Sequence, residues 1–167
     1  MSSCAVWTTY IELGATAYQS GDFDIAEMMM KAAIGEAPRQ KESLEEFLTA
    51  LETVADQLAR QRQFAKAERL YKRIKTLRTK TKADDNPHIC RLLYKLVELN
   101  IVDNRHASAR RAFAQAYLVT KKSTSVSVNE HANYLARLTT LWTDKLRAEE
   151  AAAVYRELMN IRSLQAG

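Results

Sequence analysis

Glycine, proline and cysteine are scarce in this chain of 167 residues, at four, two and two copies. With so little glycine and proline, and 47% hydrophobic side chains, a collagen-like or disordered chain is excluded. A sheet rich in tight turns is disfavoured for the same reason. Two cysteines, Cys4 and Cys90, are too few for a disulfide framework. No apolar run approaches the roughly 18–20 residues a membrane span needs. Residues Met1 to Trp7 lack the basic start and long apolar core of a secretory signal. The expectation is a soluble, cytoplasmic chain with reduced thiols and no membrane association. There is no phosphate-cradling glycine loop and no Cys-x-x-Cys pair. His88 and Cys90 form the one close pair of metal-ligand types, but two residues apart on a helix start they point to different sides. Catalysis, metal and cofactor are therefore not expected.

The net charge of +5 is unevenly laid out. Residues 1–59 hold three basic and ten acidic side chains. Residues 60–82 hold ten basic side chains against a single acid, Glu68. This belt includes Arg62, Lys66, Arg69, Lys72, Arg73, Lys75 and Arg78. It can attract phosphates or an acidic partner, or serve simply as a solvated helix face.

What the chain does contain is self-similarity. Alanine recurs at Ala26, Ala67, Ala109 and Ala151, in steps of 41, 42 and 42 residues. Four residues after each comes Met30, Tyr71, Phe113 or Tyr155, and three further on Ala33, Ile74, Ala116 or Leu158. Thirteen before each stands Leu13, Val54, Leu96 or Leu138, preceded by Tyr10, Leu51, Leu93 or Leu135. A supersecondary unit stacked four times writes such a pattern, and stacked units offer extended surface more than an enclosed pocket. Apolar residues spaced by three and four predict helices over 4–20, 23–37, 42–61, 64–81, 88–103, 106–121, 128–144 and 148–163. Ser20-Gly21-Asp22 breaks the first pair, and Pro38 closes the second helix. Ser43 with Glu46 reads as a capping box, and Asn86-Pro87 as a cap followed by a first-turn proline. Ser123 to Asn129 is the softest linker. By repeat phase Tyr10, Tyr71 and Tyr155 belong to the core and His106 is a packing residue, while His131 stands isolated at a helix start. In Met28-Met29-Met30 only part of the run can face inward.

Tyr10, Leu13-Gly14, Tyr18, Gly21-Asp22-Phe23, Ala26, Met30, Ala33 and Pro38 together resemble the signature of the tetratricopeptide repeat family. The second unit matches through Val54-Ala55, Phe64, Ala67, Glu68, Leu70-Tyr71 and Arg73, and the later two more sparsely. The longer step is similar to the kinesin-light-chain type of repeat. The resemblance implies an all-α solenoid of four helix-turn-helix pairs in a right-handed superhelix. It implies one domain, 1–167, with repeats near 7–40, 48–81, 90–123 and 132–165.

It also implies that the first helix of each pair lines a concave, peptide-binding groove. Carried onto this chain, the groove comprises Thr8, Ile11, Ala15, Tyr18 and Gln19, then Thr49, Glu52, Asp56, Ala59 and Arg60. Arg91, Tyr94, Glu98, Ile101 and Val102 follow, then Asn133, Ala136, Thr140, Thr143 and Asp144. The carboxylates there would repel an acidic peptide tail, and suit Lys or Arg flanking an aromatic anchor. The function expected is non-catalytic binding of a partner peptide or helix. Two other readings stand beside it. The molecule can self-associate through its end faces, since the last helix carries Val154, Leu158, Met159, Ile161 and Leu164. Or it can bind an anionic partner through the basic belt. Nucleic-acid readout is not expected, because Phe64 and Tyr71 fall at core phase and leave no aromatic to stack bases. If Ala67 sits at a helix crossing, Ala67→Leu should overpack it and cost about 1–3 kcal/mol in a denaturant titration.

Overall fold

The computed structural model describes residues 6–36, 41–80, 86–123 and 125–166. Among them the chain is all-α, with helices α1 (Val6–Ser20), α2 (Phe23–Gly35), α3 (Lys41–Arg60) and α4 (Phe64–Lys80). The remaining helices are α5 (Asn86–Val102), α6 (His106–Lys122), α7 (Val128–Asp144) and α8 (Ala148–Ala166). All eight lie where the periodicity places them, within a few residues. The ends differ for local reasons. α3 starts at Lys41, so Ser43 lies inside the helix rather than capping it. Asp22 precedes α2 without a capping bond; its carboxylate accepts from the Ser20 hydroxyl at 3.1 Å. Ser127 is the cap the periodicity did not single out, its hydroxyl accepting from the Glu130 amide at 3.1 Å. Pro38, Asp84 and Asp85 lie outside the described residues.

The chain forms two compact units, Met1–Ile74 and Lys75–Gly167. In the first, α1 packs on α2 and on α3. Gly14 permits the close approach of α1 to α2, since a Cβ there would stand 2.8 Å from Met30 Cε and 3.3 Å from Met29 Cβ. Trp7 meets Phe47 of α3 edge to face at 5.5 Å, and the Tyr71 hydroxyl of α4 donates to Asp56 of α3 at 2.5 Å.

In the second unit α5 pairs with α6, α7 pairs with α8, and α5 also packs on α7. Its core runs through Leu93, Val97, Ile101, Ala109, Ala116, Leu135, Leu138, Trp142, Val154 and Leu158. Polar bonds tie α6 to α8: Arg110 pairs with Glu150 at 2.7 Å, and the Tyr117 hydroxyl donates to Glu157 at 2.7 Å. Glu98 of α5 pairs with Arg137 of α7 at 2.8 Å.

The four marker alanines are buried as expected, and so are Met30 and Tyr71. Their counterpart Tyr155 is not core: it is 49% exposed. Leu13 is 50% exposed whereas Leu96 and Leu138 are buried, and Tyr10 is only half-buried. The phase is right at these positions, but Leu13 and Tyr155 stand on faces of α1 and α8 that remain open to solvent.

One turn recurs between paired helices. Gly21, Arg62, Asn104 and Leu146 all have positive φ, at 90°, 60°, 58° and 55°, and each lies five residues before a marker alanine. The next amide in every case reaches back five residues: Asp22 to Ala17, Gln63 to Leu58, Arg105 to Asn100 and Arg147 to Trp142, at 2.8–3.0 Å. This closes the preceding helix with a left-handed residue. Only the first turn uses glycine, which takes that conformation without a Cβ clash. Leu146 carries the strain and, being 91% exposed, offers no packing in return. Leu146→Gly should therefore raise stability by about 1 kcal/mol in chemical unfolding. Leu146→Ala, which keeps the Cβ, should leave the midpoint nearly unchanged.

Candidate functional site

The groove residues carried over from the resemblance divide sharply by burial. Ile11, Tyr18, Glu52, Tyr94 and Ile101 are buried. Tyr94, an expected groove residue, stacks on Tyr134 with centroids 4.4 Å apart, so its ring belongs to the α5–α7 core. Thr8, Ala15, Asp56, Ala59, Arg91, Glu98, Val102 and Ala136 are half-buried. Gln19, Thr49, Arg60, Asn133, Thr140, Thr143 and Asp144 are exposed. The acids are largely engaged by the protein itself: Asp56 accepts from Tyr71 and Glu98 pairs with Arg137. An aromatic-lined acidic groove on the first helices is thus not what the side chains form. Packing of α5 on α7 takes up the Tyr94 ring, and Tyr18 is buried.

The basic belt is also thinner than its composition. Arg78 is buried at 1% exposure. Lys66 donates to the Tyr18 carbonyl at 2.7 Å, and Lys72 pairs with Glu68 at 2.6 Å. Lys75 is half-buried, while Arg62, Arg69, Lys72 and Arg73 are exposed. Tyr71 is buried, and the Arg62 guanidinium lies over the Phe64 ring at 5.9 Å. His88 and Cys90 diverge as expected: His88 Nδ1 sits 3.0 Å from the Arg91 guanidinium, and Cys90 is fully buried.

One concavity among the described residues lies in the second unit, where the end of α6, the linker before α7, the start of α7 and the end of α8 meet. It is a half-open cleft of about 540 Å³. Val126, Val128, Ile161 and Leu164 supply its apolar lining; Thr120, His131, Glu157 and Asn160, with Lys121, Ser123 and Tyr117, supply the polar groups. A cleft of this size and mixed lining is of the kind that takes a ligand or a partner's side chain.

His131 is the chemically distinctive member. It is 9% exposed, with its ring 5.7 Å from that of Tyr117 and 6.3 Å from that of Tyr94. Its Nε2 is buried without a hydrogen-bond partner. Burial pushes the imidazole below its usual value, against the pull of the Glu157 carboxylate. Tyr117 is pushed up, first by donating to Glu157 and then by burial. Burial likewise raises Tyr94 and the Cys90 thiol. The site therefore presents a neutral imidazole, a carboxylate held by a phenol, and an exposed ammonium, Lys121, lying 5.7 Å from the Tyr117 ring centre.

The chain matches no family model, and no curated protein matches it. Among the described residues no three His, Cys, Asp or Glu side chains cluster as a metal site, and no helix is long and apolar enough to cross a membrane. Repeat phase does carry a signal for His131. It stands where the other units place Val6, Phe47 and Ile89, a polar residue written into an apolar phase. Lys121, Glu157 and Asn160 carry no such mark.

The lowered His131 value has a defined consequence. The unfolded chain takes up this proton first, so His131 contributes stability above about pH 6.5 that is lost as pH falls through the lower folded value. Thermal unfolding should show the midpoint falling from pH 7 to pH 5, and His131→Leu should flatten that slope. Glu150 acts in a lower window. Its bonds to Arg147, foremost, and to Arg110 hold it at about 2 instead of 4.5, so its contribution is lost as pH falls through that interval.

Proposed function

We propose that this protein is a non-catalytic scaffold that binds a segment of a partner protein, and that the cleft between α6, α7 and α8 anchors that segment. The supporting observation is the cleft itself: a half-open concavity of mixed apolar and polar lining. It suits a large apolar side chain seated against Val128 and Ile161. Flanking polar groups of the partner would meet Asn160, Glu157 and Lys121. The fold reading that accompanies this is the tetratricopeptide-like solenoid of four helix pairs in a single domain. In it the exposed part of the first-helix surface, with Asn133, Arg137, Thr140 and Asp144 on α7, would guide the rest of the segment. The buried positions of Tyr18 and Tyr94 move the anchor away from that surface and into the cleft. No cofactor is invoked.

A random peptide library selected on the wild-type protein tests this reading. Selected peptides should share one large apolar residue, and should lose about tenfold or more in affinity against Ile161→Asp. They should keep their affinity against Asp56→Asn, which lies in the other unit. A library that yields no binder, or binders indifferent to Ile161→Asp and Val128→Asp, overturns it.

A further inference from the structure

The four units do not end alike, and the difference points to a partner. Three positions that are buried or half-buried in the inner units are open in the first: Val6 at 58%, Leu13 at 50% and Ile25 at 48% exposed. Their later counterparts include Phe47, Leu96, Leu138 and Glu150, all buried or half-buried. Two positions covered in earlier units are open in the last: Tyr155 at 49% and Met159 at 43%. Among these, Ile25 and Met159 fall at the repeat phases of Glu150 and Tyr117, which take part in the contact between α6 and α8.

The contact between α6 and α8 shows what that repeat requires. Arg110, one residue after its marker alanine, pairs with Glu150, one residue before the next, at 2.7 Å. Tyr117, eight after, donates to Glu157, six after the next, at 2.7 Å. Advanced by one unit, the same register places Ala152 opposite Ile25 and Met159 opposite Ala32 of a following first unit. Both polar pairs become apolar pairs, on both sides at once. Matching substitution on the two faces is what a buried contact between them needs, because a charge left unpaired there would carry its desolvation cost.

We propose that a second copy of this chain docks its α1–α2 face on α8 of the first, in the register that Arg110–Glu150 and Tyr117–Glu157 set between α6 and α8, in head-to-tail succession. The two surfaces are unlike, so every bound copy leaves one of each free. Growth therefore continues into open chains or closes into rings. The inference rests on the sequence register, not on the peptide reading, and the residues substituted in its test lie outside the cleft lining.

Sedimentation velocity over a range of protein concentrations tests it. The wild type should form dimers and larger species, and should do so equally at high salt, because the contact is apolar. Ile25→Glu and Met159→Glu should each weaken association about 30-fold or more. Circular dichroism checks that both remain helical, with Val6→Glu and Tyr155→Asp as second variants. The mixture is decisive. Ile25→Glu keeps its α8 face and Met159→Glu keeps its α1–α2 face, so together they should form a dimer and nothing larger. A wild type that stays monomeric, association that collapses with salt, or variants that associate as the wild type does would each overturn the proposal. So would a wild type that associates while the mixture stays monomeric, since that marks contact between like faces.

Discussion

A second helix can lie close along its partner only where a small residue stands at the crossing and the chain reverses within two or three residues. Ala26, Ala67 and Ala109 are fully buried, and Ala151 nearly so. Five residues before each, one residue in the left-handed conformation makes the reversal. The two features act as a unit: the turn sets the phase of the second helix, and the alanine lets that phase become a close contact. The rest of the packing follows from this spacing. Met30 and Tyr71 are buried one helical turn beyond the alanine, and Phe113 meets Trp142 edge to face at 5.8 Å. Ion pairs such as Arg110–Glu150 then form at the rim of a contact already fixed by apolar shape.

Period and phase were legible in the sequence because each helix buries one stripe, and a buried stripe leaves a spacing that any reader can count. Hence the eight helices and the burial of Ala67, Tyr71, Leu96 and Leu138. Three features were hidden for physical reasons. Arg62 and Leu146 hold the turn without glycine, so composition does not mark it. Tyr18 and Tyr94 lie on first-helix positions that a peptide groove would use, but a ring of that size is also what fills the space between adjacent first helices. The cleft gathers residues from α6, the linker, α7 and α8, and no local spacing reports a meeting of four segments. His131 was the one member within reach, by its place in an apolar phase.

His131 adds to the polarity that Thr120, Glu157 and Asn160 give the cleft. An aliphatic residue in its place would pack against Tyr94 and Tyr117. The imidazole instead leaves a nitrogen in the interior with no partner, a cost of roughly 1–3 kcal/mol by general experience with buried polar groups. Glu157, also in the lining, is already engaged by the Tyr117 hydroxyl. Polar recognition at this site therefore falls to few atoms, and shape against Val126, Val128, Ile161 and Leu164 carries most of the fit.

The two end faces pose a different question, which is whether their apolar character is accident or design. At the inter-unit phases the chemistry follows location. Arg110, Glu150 and Glu157 occupy the contact inside the second unit, whereas Ile25, Ala32, Ala152 and Met159 occupy the corresponding open faces. Solubility alone would favour the reverse arrangement, with charge outside and carbon within. The pattern makes sense if the open faces are the more deeply desolvated ones in the assembled state. An interior contact is held together by the covalent chain and can carry salt bridges at its rim. A contact between molecules has no such tether and must supply its free energy by removing carbon from water.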